Sequence, residues 1–292
     1  MNSYTFLASG LDGLARGGLY AAMALGLSLV FGVMRFVNVA HAELLVLSAF
    51  LVFALAAGLG LSPLIAMLIV APAMFVLGYA MQRVIINPLM NKGVEPALLT
   101  AFGISIILQN LMLMTWGGNT RSLSTGLADL GFDFGPYRLP ALTLLGLVVG
   151  VTLTVGAHLF FKKSALGRAF RAASQDPATA RVMGINVDAV YGLTAGIAAA
   201  TAAIGGALIG MTLSFTPVAG FTWLLKGFVI VILGGMGSII GTLVGGLILG
   251  LSEGLGGAVF GTGYRDMIGY LIFLVILMVR PSGLFGVAGS EK

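Results

Sequence analysis

Eight long apolar stretches, 11–34, 42–60, 63–83, 97–116, 140–161, 189–213, 226–255 and 264–280, succeed one another along this chain with short polar breaks between them. Each is of the order of the ~20 residues that a helix needs to cross the hydrocarbon core of a bilayer. Inside that core every backbone N–H and C=O must be paired within the chain, so helices and closed barrels are the available spanning structures. A barrel would show alternating segments of about ten residues, and these stretches are continuous. The expected fold is therefore all-α: a polytopic membrane protein of about eight transmembrane helices in one membrane domain over residues 1–292. The charged share of 9% agrees, because soluble chains carry roughly a quarter charged residues.

One stretch breaks the pattern. Residues 226–255 are too long for an ordinary span and are interrupted by GGMGS, Gly234 to Ser238, so a broken or re-entrant segment is expected there. Downstream, Gly237, Gly241 and Gly245 form one row at four-residue spacing, and Gly246, Gly250 and Gly254 form another. Such rows let a second helix backbone approach closely, which is how membrane helices pack. GGMGSIIG has no preceding strand pattern and no Lys-Ser/Thr after it, so it is not a phosphate-binding loop. The N-terminal stretch lacks the basic region and short apolar core of a cleaved leader, and reads as the flank of an uncleaved first span. The chain has no cysteine, which removes disulfides, thiolate metal sites and cysteine nucleophiles. No metal-ligand cluster, activated nucleophile or paired carboxylates are visible, and no catalytic or metal residues are assigned.

Charge then orients the spans. Five of the 15 Lys and Arg residues fall between Lys162 and Arg181, and basic residues concentrate in cytoplasmic loops. With 162–188 inside, parity places Arg35, Arg83 and Lys92 inside, the N-terminus outside, and the charge-balanced loop 117–139 outside. Arg265 and Arg280 flank a single span, so the side of the C-terminus stays open at this point. The net charge of +5 is a topological signal here and not a sign of nucleic-acid binding.

The basic island has the grammar of a short, bounded helix. Asp176 suits the N-cap, Pro177 the first helical position, and Gly184 the left-handed stop. Upstream, Arg168 and Arg171 lie three apart on one helical face. So short a helix is marginal in water unless it docks against something. The plain alternative is a cytoplasmic loop that is positive only to fix topology.

The stretch G-R-A-x-R-A-x-x-x-D-x-x-x-A-x-x-x-G-I, Gly167 to Ile185, resembles the cytoplasmic coupling loop of ABC importer permeases, in particular the branched-chain amino acid permease family of the LivH type. GLYAAMALGLSLVFGVMRFVNVAHAELLVLSAF is similar to that family's first two spans, KGFVIVILGGMGSIIGTLVGGLILG to its late glycine-rich segment, and RPSGLFG to its usual ending. The resemblance implies that Gly167, Arg168, Arg171, Ala172, Asp176, Pro177, Ala180 and Gly184 belong to an element inserted into a cytoplasmic ATPase. It implies as partners a homologous second permease, two such ATPases and a periplasmic or extracellular substrate-binding protein, in a bacterial inner membrane. The chain has no G-x-x-x-x-G-K-[ST] loop, so ATP and Mg are expected on the partners and no cofactor on this chain. The expected function is a permease subunit for branched-chain or other hydrophobic amino acids. A related permease for urea, short amides or aromatic acids is the alternative, and a self-sufficient channel or secondary transporter is the alternative of another class.

Two places are candidates for the translocation pathway. RFVNVAHAELL puts Asn38, His41 and Glu43 at the junction of the first two spans, and ionisable groups near a span tend to face an aqueous cavity or a partner. The same residues also suit a helix cap, an interfacial ring and the positive end of a helix. The second candidate is the break at Gly234, Gly235, Gly237 and Ser238, where a discontinuous helix exposes backbone groups. Lys226 and Glu253 are taken as markers of that segment's ends.

Overall fold

The computed structural model describes residues 3–90, 92–127, 129–134 and 137–286. Among them nine helices are long and apolar enough to cross a membrane. The chain runs through α1 (Ser3–Met34), α2 (Ala40–Leu59) and α3 (Pro63–Met81), which continues through a π-helical turn, Gln82–Ile86, into α4 (Asn87–Met90). Then come α5 (Val94–Trp116), α6 (Ala141–Lys163), the short α7 (Ala165–Gln175) and α8 (Pro177–Val182), and α9 (Val187–Thr212). The chain closes with α10 (Gly220–Gly234), α11 (Ile239–Phe260) and α12 (Arg265–Val279). The expected break is real and complete: the stretch 226–255 becomes two helices, α10 and α11, which raises the span count from about eight to nine. Between α5 and α6 a small hairpin forms, β1 (Gly131–Phe134) antiparallel to β2 (Tyr137–Pro140), with Gly131 opposite Pro140.

Burial sorts the helices into a centre and a periphery. In α1 and α9, 89% and 78% of the most apolar window is buried, against 17% in α5 and 6% in α12. A helix apolar on all sides and exposed in the isolated chain has its outer face suited to lipid or to a partner subunit. The centre is held by backbone approach at glycine. A Cβ on Gly17 of α1 would lie 2.7 Å from both the Gly246 carbonyl oxygen and the Leu247 Cα of α11. One on Gly13 would lie 2.5 Å from the Gly250 oxygen. Thus the row Gly246, Gly250, Gly254 packs on α1, while Gly241 and Gly245 of the other row face α10.

The two ends of the bundle are separated by α9, whose 26 residues span about 39 Å. At its start Arg181 pairs with Asp188 at 3.2 Å, and the Asn87 side chain donates to the Asp188 carbonyl. At its finish Leu123 N–H donates to the Gly210 carbonyl, and Arg121 and Phe215 exchange backbone bonds of 2.9 and 2.8 Å. The island 162–188 and the loop 117–139 therefore sit at opposite ends. Residues 284 and 285 donate to the carbonyls of Leu233 and Gly234. The adjoining Gly237 lies against Gly32 near the end of α1. The RPSGLFG segment thus sits at the island end with Arg280, while Arg265, across α12, lies at the opposite end.

Candidate functional site

The island folds as its residues dictate. Ser164 caps α7, its hydroxyl accepting from Gly167 N–H at 3.0 Å. Gly167 is buried against the Phe161 carbonyl, where a Cβ has no room. Phe170 packs on the Phe161 ring at 4.6 Å between centroids, and Ala173 is fully buried while Ala172 is half-buried. The chain then turns at Asp176. Its carboxylate accepts from Ala178 N–H at 2.9 Å and Thr179 N–H at 3.2 Å, and from the Thr179 hydroxyl. These bonds, the Thr179 hydroxyl foremost, hold the carboxyl below its ordinary value. Pro177 opens α8. Gly184, at φ 83°, donates to Arg181 O while Ile185 donates to Ala180 O, both at 3.0 Å. That pair of bonds is the Schellman stop, which closes the last turn with a left-handed glycine.

Two details were not visible in the sequence. Arg171 Nη1 donates to the Phe161 carbonyl at 2.9 Å, so this cation ties α7 to the end of α6 and satisfies a terminal carbonyl of that helix. Arg168 is exposed. At the tip of α8, Val182 and Met183 are 87% and 76% exposed, while Ala180 beneath them is buried. The island is a rigid, capped platform with an apolar knob projecting from a basic surround.

The pathway candidates separate. Gly234, Gly235, Gly237 and Ser238 form a tight turn, with Gly235 and Gly237 at φ 96° and 81°. Its polar groups are taken: Gly235 N–H donates to Ile232 O, Ser238 N–H to Gly235 O, and the Ser238 hydroxyl caps α11 by accepting from Gly241 N–H. Asn38, His41 and Glu43 are all buried. Asn38 Oδ1 accepts from Ala40 N–H at 3.1 Å, the capping role. His41 Nε2 lies 3.4 Å from the Met23 carbonyl and lines a small cavity with Met23, Trp223 and Gly227. Glu43 faces Gly220 at the start of α10, and its Oε2 is buried without a hydrogen-bond partner among the described residues.

A third place emerges only in three dimensions. Lys226 and Glu253 do not mark the ends of their segment. They lie within α10 and α11, side by side, with Nζ 3.0 Å from Oε1. Lys226 also reaches Asp266 of α12 at 2.9 Å and Tyr20 of α1 at 3.2 Å, and Tyr20 Oη donates to Glu253 Oε2 at 2.7 Å. Four helices thus converge on one cation. Lys226 and Glu253 are buried, whereas the Asp266 side chain is 58% exposed. The cluster forms one wall of a cavity of about 280 Å³, completed by Arg16, Leu213, Trp223 and Arg265. Leu213 follows α9 directly, so the cavity lies at the end of the bundle opposite the island. The sequence signal was present, since Lys226 and Glu253 interrupt apolar stretches, but their partnership depended on the turn at Gly235.

Nine apolar helices, a capped basic platform at one end and buried charges at the other define a multi-pass α-helical membrane protein. Residues 10–278 match the family described as the branched-chain amino acid transport system permease component. The chain belongs to that family. It is 33% identical over 303 residues to the high-affinity branched-chain amino acid transport system permease protein BraD of Pseudomonas aeruginosa, covering 99% of this chain and 98% of the relative. It is 33% identical to the corresponding permease protein LivH of Escherichia coli, over 98% and 97% of the two chains. It is 27% identical to the probable branched-chain amino acid transport permease protein LivH of Methanocaldococcus jannaschii, over 92% and 89%. No solved structure matches.

Proposed function

We propose that this chain is the permease subunit of an ATP-driven importer that carries branched-chain or other hydrophobic amino acids across a bacterial inner membrane. The observation that carries the reading is near-complete coverage of relatives named as branched-chain amino acid transport permeases. The island supports it. Its rigid α7–α8 platform, with Val182 and Met183 projecting, is suited to fill a groove on a cytoplasmic partner, because exposed apolar side chains on a capped helix favour burial. Gly167, Ala172 and Ala180 form its packed base, Asp176, Pro177 and Gly184 set its ends, Arg171 ties it to α6, and Arg168 faces outward to the partner. A homologous second permease, two cytoplasmic ATPases carrying ATP and Mg, and an external binding protein complete the assembly. Within the membrane, Asn38, His41 and Glu43 line the pathway, and the turn Gly234–Ser238 borders it at its cytoplasmic end.

Reconstitution tests this reading. Liposomes holding this chain with its partner permease, ATPases and binding protein should accumulate leucine only when ATP is supplied on the island side. Liposomes holding this chain alone should neither hydrolyse ATP nor accumulate leucine. Accumulation by the chain alone would replace the importer with a self-sufficient transporter.

A further inference from the structure

The 280 Å³ cavity is lined by opposite charges held in fixed places. Asp266 and Glu253 present carboxylates on one side, and Arg16 and Arg265 present guanidinium groups. Leu213 and the Trp223 ring supply apolar surface. A buried ion pair seldom stabilises a fold more than apolar residues of the same volume would, and charges inside a membrane segment mark functional positions. Two further observations point to a ligand. Asp266, though bonded to Lys226, keeps its side chain 58% exposed. Arg265 also lines the cavity, and because its Nε is buried beside Gly257 of α11 it meets a ligand there only through its terminal nitrogens.

The geometry points to this cavity as a binding site for the zwitterionic head of a free α-amino acid, entered from the end of the bundle opposite the island. The inference rests on the import reading and names where the substrate is first held by this chain. The ammonium of the ligand is received by Asp266, which exchanges part of its bond to Lys226, and the carboxylate by Arg265. The side chain of the ligand lies against Leu213 and Trp223. Lys226 and Tyr20 hold Glu253 fixed beneath and act as positioning residues. A neutral amide or urea offers neither charge, so the same cavity discriminates against it by leaving both partners unmatched.

The chain has two tryptophans, and Trp116 stacks on Phe50 away from the cavity. A Trp116→Phe chain in nanodiscs therefore reports on Trp223 alone. L-Leucine should change its emission saturably. N-acetyl-leucine lacks the ammonium and leucinamide lacks the carboxylate, and each should need about tenfold more ligand or worse, as does leucine itself with Asp266→Asn or Arg265→Gln. Circular dichroism and gel filtration verify that both variants are folded. Equal responses to all three ligands, or unchanged leucine half-saturation in both variants, overturn the site. The assembled importer, assayed in parallel with the same Trp116→Phe chain, separates the two readings. Leucine uptake with a silent Trp223 at saturating leucine removes the cavity and leaves the importer standing. A responsive Trp223 without ATP-dependent uptake removes the importer and leaves the amino-acid site.

Discussion

At Gly17 a side chain would meet backbone atoms on α11, which cannot step aside as a flexible side chain can. Gly17→Leu should therefore destabilise the fold by about 1–3 kcal/mol or more, the range for overpacked interiors. Gly58, where a Cβ meets nothing within 4 Å, is the control. Gly58→Ala should be neutral or gain about 0.5–1 kcal/mol from helix propensity. Thermal unfolding followed by fluorescence-detected gel filtration compares them. Lys226 offers the electrostatic counterpart. Lys226→Met leaves Glu253 buried without its cation and should cost about 3–5 kcal/mol, much of it recovered in Lys226→Met/Glu253→Gln. The cap at Asp176 has a defined pH sense. Because the folded carboxyl titrates below its ordinary value, its stabilisation is present above the unfolded value and is lost as pH falls through the lower, folded one. At neutral pH, Asp176→Ala should speed amide exchange at Ala178 and Thr179, and wild type should lose the same protection only in acid.

Among the elements, α8 is where the proposed coupling role can be tested apart from folding. Ala180 N–H bonds Asp176 O at 3.0 Å, so Ala180→Pro removes that bond and crowds the preceding turn, costing about 3 kcal/mol in a helix interior. The cost falls on a six-residue helix at the end of the bundle. Uptake and co-purification with the ATPases should fail while the spanning helices remain folded; wild-type uptake by Ala180→Pro would reduce the island to a topological device. Arg168→Glu is the cleaner charge test, because Arg171→Glu would also release the Phe161 carbonyl. Local grammar explains why so much of α8 was legible: cap, proline and stop each act within a few residues. Span positions were legible for the same reason, since hydropathy is contiguous. The α10–α11 division was half legible, the glycines marking the break without giving the direction of the following helix. The cluster of Tyr20, Lys226, Glu253 and Asp266 was not legible, because its members lie on four helices and meet only through tertiary packing. The Arg171 tether ends on a backbone carbonyl, which leaves no partner residue to recognise.

For the whole molecule, the separation of ends along α9 makes sidedness testable. The native chain has no cysteine, so Ser124→Cys and Gln175→Cys each carry a unique, exposed thiol. A membrane-impermeant maleimide added to intact cells should label position 124 and leave position 175 untouched until the membrane is opened; the reverse pattern would invert the orientation. The gathering of Arg35, Arg83, Lys92, Lys162, Lys163 and Arg168 at one end also has an electrical meaning. With that end inside, a negative interior voltage holds these charges where they are. Carrying each across would take roughly 2.3 kcal/mol per 100 mV. An energised cell thus adds a field that opposes inversion of the newly inserted chain, and collapsing the voltage during synthesis would weaken that bias before helix packing makes the orientation permanent.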